Sequence, residues 1–417
     1  MNSSQRARRR QRRKQKREEE RRAALAPALD YNSVLSLDTL VESSRTCQRG
    51  VSWKGSVQSF CMRRASNCSR LKAELDAGTY RKEPATRFIL RERGCERSIS
   101  GVSFRDRVVQ RALCDGSLVP LLTHGAIDDN CASLKGKGTH LARKRFARHM
   151  AEAHRRWGDK AACVQYDFRK YFASIDSRRA SGGIRREYLR ASSDNNRTDA
   201  LKLWGIVDSI VTEESGMGLG NQTSQTVAIW FASPIDHYVR EVLHCGLSGR
   251  YMDDGYVFCR AEDASAVLAA IENKAEGLGL QLHPRKSRIT PITSPLSFLK
   301  ASYTINGAYV RMDMCSKSLL RTMRHMRHVY GLLEKGRISN ADFAQSLAST
   351  YGTVCRSASP KQRRRFEASI PAGWHDLMRD VRLRTLGGAV PNSVPICSLI
   401  GNNSQQSTAT HDTTQQP

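Results

Sequence analysis

No two cysteines of this 417-residue chain lie closer than Cys61 and Cys68, and no apolar run approaches the ~18 residues needed to cross a bilayer. Without a C-x-x-C pair, the twelve cysteines encode neither a zinc ribbon nor a disulfide framework; reduced, buried thiols are expected. His237 and His244 have no carboxylate at metal-site spacing and read as surface histidines. Residues 136–139, Gly-Lys-Gly-Thr, lack the first glycine of a phosphate-binding loop. The arginine-rich N-terminus has no secretory apolar core, so a cytoplasmic protein with no membrane partner is expected.

Acidic residues are also scarce: 40 Asp and Glu stand against 68 Lys and Arg, a net charge of +28. Such an excess points to a polyanionic partner held through its phosphates. The 39% hydrophobic content still suffices for a core spread over two or three cooperating subdomains. Eleven basic residues crowd positions 6–22 with only Glu18, Glu19 and Glu20 opposing them, so residues 1–24 read as a basic disordered tail or a solvated helix.

Residues 25–160 make an N-terminal extension and a hairpin-bearing segment. Phe88, Ile89 and Leu90 run into arginines around Gly94 and on to Ile99 and Val102, the pattern of a β-hairpin, and helical spacing follows over 105–122. A second basic helix is expected after the glycine-broken stretch 135–138. An apolar strand over 161–166 ends at Asp167, and an amphipathic helix spans about 198–211. The glycine-rich turn 216–220 opens another helix, which Pro234 should kink or end. Tyr251-Met252 and Tyr256-Val257-Phe258 flank an acidic tight turn, and a hairpin over 296–312 is expected to turn at Asn306-Gly307. Residues 313–390 are helical and basic, and the Ser/Thr/Gln-rich 391–417 reads as a disordered polar tail.

Two adjacent carboxylates on a tight hairpin, beside a third at a strand end, suit the clamping of hard cations. Asp253 and Asp254 meet the first demand and Asp167 the second. Phosphoryl transfer from a nucleoside triphosphate uses two such ions ~4 Å apart. An Asp-Asp-Gly turn alone is more often an ordinary surface hairpin than a metal site, and Asp176 reads as a helix cap.

The order of motifs between residues 87 and 303 resembles the reverse transcriptases. Residues 165–176, Gln-Tyr-Asp-Phe-Arg-Lys-Tyr-Phe-Ala-Ser-Ile-Asp, are similar to the family's motif A, with Phe172 at the sugar-gate position. Residues 216–225, Gly-Met-Gly-Leu-Gly-Asn-Gln-Thr-Ser-Gln, resemble motif B; Leu219 and Ser224-Gln225 depart from intron and retroviral enzymes toward those of diversity-generating retroelements and some unassigned bacterial lineages. Tyr251-Met252-Asp253-Asp254 is similar to motif C, residues 282–289 to motif D with Lys286 as its lysine, and residues 297–300 to the motif E primer grip, with Lys300 where many relatives carry glycine. Arg97 with Ile99 resembles the Arg-x-Ile of the fingers.

The resemblance implies an α+β right hand with fingers, a palm at 161–312 and a helical thumb at 313–390. It also implies Mg2+ or Mn2+ held by Asp167, Asp253 and Asp254; Lys286 as acid toward the leaving pyrophosphate; and nucleotide binding by Arg97, Phe172, Gly220 and Gln225. Its partners would be an RNA template, a DNA or RNA primer and dNTPs, joined by a cognate noncoding RNA or an accessory protein. A group II intron maturase and a catalytically silent RNA-binding protein are the alternatives.

Overall fold

The structure is a computed structural model that describes residues 3–92, 95–212, 216–218, 220–386 and 393–395. It opens with α1 (Ser3–Leu25), α2 (Tyr31–Val34), α3 (Leu37–Gln48), α4 (Gly55–Met62) and α5 (Arg64–Asp76). The hairpin β1 (Thr86–Glu92) and β2 (Cys95–Gly101) leads into α6 (Phe104–Leu113), which runs through a π-helical segment into α7 (Val119–Thr123). Then come α8 (Thr139–Trp157), β3 (Ala161–Asp167), α9 (Tyr171–Ser174), α10 (Ser177–Ala191), α11 (Arg197–Val211), α12 (Gln222–Phe231) and α13 (Ser233–His237). The hairpin β4 (Ser248–Tyr251) and β5 (Asp254–Arg260), α14 (Ala264–Glu276), β6 (Arg288–Pro291), β7 (Leu296–Phe298), β8 (Ala301–Asn306) and β9 (Tyr309–Met314) follow. The chain continues through α15 (Ser316–Glu334), α16 (Asn340–Ser357), α17 (Pro360–Glu367) and α18 (His375–Leu386) to β10 (Ser393–Pro395). The class is α+β, with small antiparallel sheets among many helices. Among the described residues no helix is long and apolar enough to cross a membrane.

Two interleaved compact units emerge: residues 1–133, 168–238 and 272–283 form one, and 134–167, 239–271 and 284–417 the other. In the first unit the basic N-terminal segment is a helix rather than a disordered tail. Its last turn is tied down, with Arg21 2.7 Å from Glu187, Arg22 donating to the Arg190 carbonyl, and Leu25 only 2% exposed. Helix α10 is capped by Asp176, as its sequence suggests, with the side chain accepting from the Arg179 amide at 2.8 Å. Gly183 lets it approach α12: a Cβ there would meet the Trp230 ring at 2.4 Å. Pro234 sits in the first turn of α13, where it ends one helix and starts the next.

In the second unit the sheet order is β4-β5-β3-β6, all antiparallel. Strand β3 is buried at every position because it has a strand on each side and α8 packed against it. Phe146 of α8 anchors an aromatic core, with ring centroids 4.6 to 5.2 Å from Tyr303, Tyr256, Phe298 and Phe258. The second sheet runs β10-β9-β8-β7. Strand β10 places residues 393–395 in that sheet; the rest of the expected polar tail, 391–392 and 396–417, lies outside the described residues. Helices α15 to α18 close around Met326, Phe343, Leu347, Tyr351 and Phe366, and Ser339 with Asp342 and Ser359 with Gln362 form capping boxes at α16 and α17.

Candidate active site

Antiparallel pairing of β3 with β5 sets Asp167 directly opposite Asp254. Directly opposed side chains leave the sheet on the same face, with Cβ atoms about 4.5 to 5.5 Å apart. Two carboxylates are thereby brought together, and a hydrogen bond joins them. Asp253 precedes Asp254 in the turn and adds a third negative charge close enough to raise the Asp254 pKa. Burial, followed by the charges of Asp253 and Asp167, pushes the Asp254 carboxyl up to about 7, with Lys286 pulling the other way. Asp167 itself is only 4% exposed.

The turn that presents Asp253 is held against its own preference. Tyr251 pairs with Asp254, leaving Met252-Asp253 as a two-residue connection, and Met252 adopts φ +59°, a region that favours glycine. Arg250, 1% exposed, donates from Nη1 to the Met252 carbonyl at 2.8 Å. One position into β5, Gly255 faces Tyr166, and a Cβ there would lie 2.1 Å from the ring. The aromatic ring of the residue beside Asp167 thus covers the glycine beside Asp254.

The β3–β6 pairing, Gln165 with Arg288, places Lys286 opposite Asp167 when the register is extended. Its Nζ lies 2.7 Å from Asp167 Oδ2, although the side chain is 56% exposed. Partial burial lowers the Lys286 pKa, but the hydrogen bond and charge of Asp167, with Asp254 and Asp253 behind it, outweigh this and the net direction is upward. Lys286 therefore carries its proton. The Ser287 hydroxyl accepts from the Asp167 amide at 3.4 Å.

These residues fit a divalent cation. Hard oxygen ligands are supplied by adjacent carboxylates, and burial together with their mutual repulsion raises the pKa of one of them toward neutrality, a cost that such an ion relieves. Among the described residues no three His, Cys, Asp or Glu side chains already converge as a complete cage. No family model matches the chain, and no curated protein matches it.

The other expected residues belong to the first unit. Phe172 is half-buried in the short helix α9, and its carbonyl accepts from the Met217 amide at 2.8 Å. Gly216 packs against the same turn, where a Cβ would meet the Ala173 carbonyl oxygen at 2.9 Å. Gly220 has φ +111° and lies 3.4 Å, measured from an ideal Cβ, from Ile99 and from the Ser100 carbonyl of the β1–β2 hairpin. The structure thus brings residues 172–173, residues 216, 217 and 220, and the hairpin end into contact. Gln225 is half-buried on the first turns of α12. Arg97 pairs with Leu90 in the hairpin, but its side chain, like all of Leu219, lies outside the described residues.

Three features were missed from sequence. Asn221 precedes α12 as a buried residue whose Oδ1 has no hydrogen-bond partner among the described residues, and it lines a small recess with Gly216, Met217 and Thr223. Arg250 is buried at the strand end, and nothing in its sequence neighbourhood separates it from a surface cation. The turn Leu299-Lys300 carries both residues at positive φ, +49° and +65°, and Arg143 of α8 donates to the Leu299 carbonyl at 3.0 Å and to the Ser357 hydroxyl at 2.7 Å. Lys300 at a glycine-like position was the one available signal.

Proposed function

We propose that the chain is a reverse transcriptase, which adds deoxynucleotides to a primer 3′ end on an RNA template. The observation that carries this reading is the Asp167–Asp254 pair, set in register with Asp253 in the adjoining turn and Lys286 against Asp167. In this reading the sheet β4-β5-β3-β6 is a polymerase palm, the β1–β2 hairpin belongs to the fingers, and α15 to α18 make a thumb. Asp167, Asp253 and Asp254 would hold Mg2+ or Mn2+. When bound, such ions acidify the attacking hydroxyl and offset charge on the leaving pyrophosphate.

The chain's own residues do the rest. Asp254 gives up its proton near neutral pH, so the site becomes competent as the carboxylates ionise. Lys286 holds a proton at Nζ that it can deliver to pyrophosphate as its link to Asp167 is exchanged. Phe172 serves as the sugar gate, rejecting a 2′-hydroxyl by contact, and Arg97, Gly220 and Gln225 contact the nucleotide. RNA template, primer and dNTPs are the partners, in the cytoplasm, and the net charge of +28 supports affinity for them.

Primer extension on matched RNA and DNA templates, with dNTPs or NTPs, tests this. Wild type is expected to extend on RNA with dNTPs, and Phe172→Val to gain NTP incorporation by tenfold or more. An enzyme that extends only with NTPs, or not at all in Mg2+ or Mn2+, would refute the reading.

A further inference from the structure

The first unit contains a second concave site that the polymerase reading does not use. An open cleft of about 770 Å³ is lined by α4, α5, β1 and the start of α6. Both acids in its wall are taken up by one residue: Arg105 bonds Glu74, stands 3.8 Å from Glu83 and stacks over the Tyr80 ring. Lys54, Arg70 and Arg107 also line it, and none of them has a carboxylate partner among the described residues. The wall is therefore a net cation that calls for an anion.

Its apolar part is aromatic. Phe60 is fixed edge-on against Phe104 at 5.1 Å, and Phe88 of β1 is 50% exposed. The frame is rigid. The buried Asp106 carboxylate accepts from Tyr80 Oη at 2.8 Å, the Glu83 amide at 2.8 Å and Ser103 Oγ at 2.9 Å, tying the chain before β1 to α6. Asn67 is held by the Phe60 carbonyl at 3.0 Å.

We infer that this cleft binds a nucleotide unit, its phosphate on Lys54, Arg70 and Arg107 and its base against Phe60 and Phe88. The volume lies in the range of small-ligand sites, and paired cationic and aromatic walls suit a phosphate joined to a flat ring. The nucleotide is either free or one residue of a single strand. A membrane or protein surface would instead require a flat or convex apolar face.

The full-length protein in EDTA, photolabelled with 8-azido-AMP or with a ten-residue oligouridylate carrying 4-thiouridine, tests the assignment by peptide mapping. Labelling is expected within residues 54–74 or 84–107 and should fall at least fivefold in Lys54→Ala/Arg70→Ala, two exposed positions whose loss leaves the fold intact by circular dichroism. Labelling by the mononucleotide identifies a free ligand; labelling by the oligonucleotide alone identifies a strand. Labels absent from these segments, or undiminished in the double variant, overturn the inference.

Discussion

Two hairpin turns of the second unit are built alike. Met252-Asp253 joins β4 to β5 and Leu299-Lys300 joins β7 to β8; both place residues other than glycine in the left-handed region, and in both an arginine from outside the turn donates to the carbonyl of its first residue. The third turn, after Asn306, places Gly307 at φ +56°, a conformation that glycine adopts freely. The difference is one of support. Where the residue suits the turn, local chemistry suffices; where it does not, about 1 to 3 kcal/mol of strain per residue is offset by tertiary bonds. The first supported turn is the one proposed to hold metal, and the second is the one whose sequence resembles a primer grip.

The largest effect is expected at the first. Gly255→Ala must displace the Tyr166 ring and with it the strand ends bearing Asp167 and Asp254, so primer extension should fall at least a hundredfold while nucleic-acid affinity stays. Arg250→Met should lower the single-turnover rate by roughly tenfold to a hundredfold, because the Met252 carbonyl loses its donor and the Asp253 turn loosens. An unchanged rate in a folded Arg250→Met would remove the support argument.

At the second turn the expected split differs. Arg143→Met should weaken primer–template binding by about tenfold with the saturated rate nearly kept, since the Leu299 carbonyl and Ser357 are left without their donor. A drop in rate at saturation would instead place Arg143 with Arg250. Smaller still is Lys300→Gly, which relieves a positive φ and should stabilise the protein by ~1 kcal/mol, whereas Gly307→Ala should cost about as much. Equal melting temperatures for the two variants would show that the φ values carry no strain.

A last effect is a pH slope. Asp254 has a raised carboxyl pKa in the fold, so it costs no stability below the ordinary carboxyl range, and the cost is fully present above about 7. The melting temperature without metal should therefore decline from pH 5 to 8, and Asp254→Asn should flatten the decline. Added Mg2+ should raise it more at pH 8 than at pH 5. A metal effect independent of pH would dissociate Asp254 from cation binding.

What the sequence revealed follows the same division. The carboxylates were legible because adjacency, alternation and a strand end are local patterns, as were β3, α8 and the turn at Gly307. The start of α10 was legible in its Asp176 cap, but its body was hidden by Gly182, Gly183 and its serines, poor helix formers that tertiary contact with Trp230 overrides. Gly255 read as a turn glycine but lies inside β5, where the ring opposite dictates it. Arg250 and Arg143 could not be told from surface cations, because burial is a property of the assembled sheet and not of the residue. The Leu299-Lys300 turn has no turn-forming residue at all, so three strands read as one hairpin.

The central claim is that Asp167, Asp253 and Asp254 act as one cation-binding transfer centre, and single-turnover primer extension by Asp254→Asn on an RNA template addresses it most directly. Asparagine keeps the side-chain shape and removes the ionisable ligand, so the rate is expected to fall by roughly a thousandfold or more while binding to the same primer–template is unchanged. A folded Asp254→Asn enzyme extending within tenfold of wild type would contradict the account.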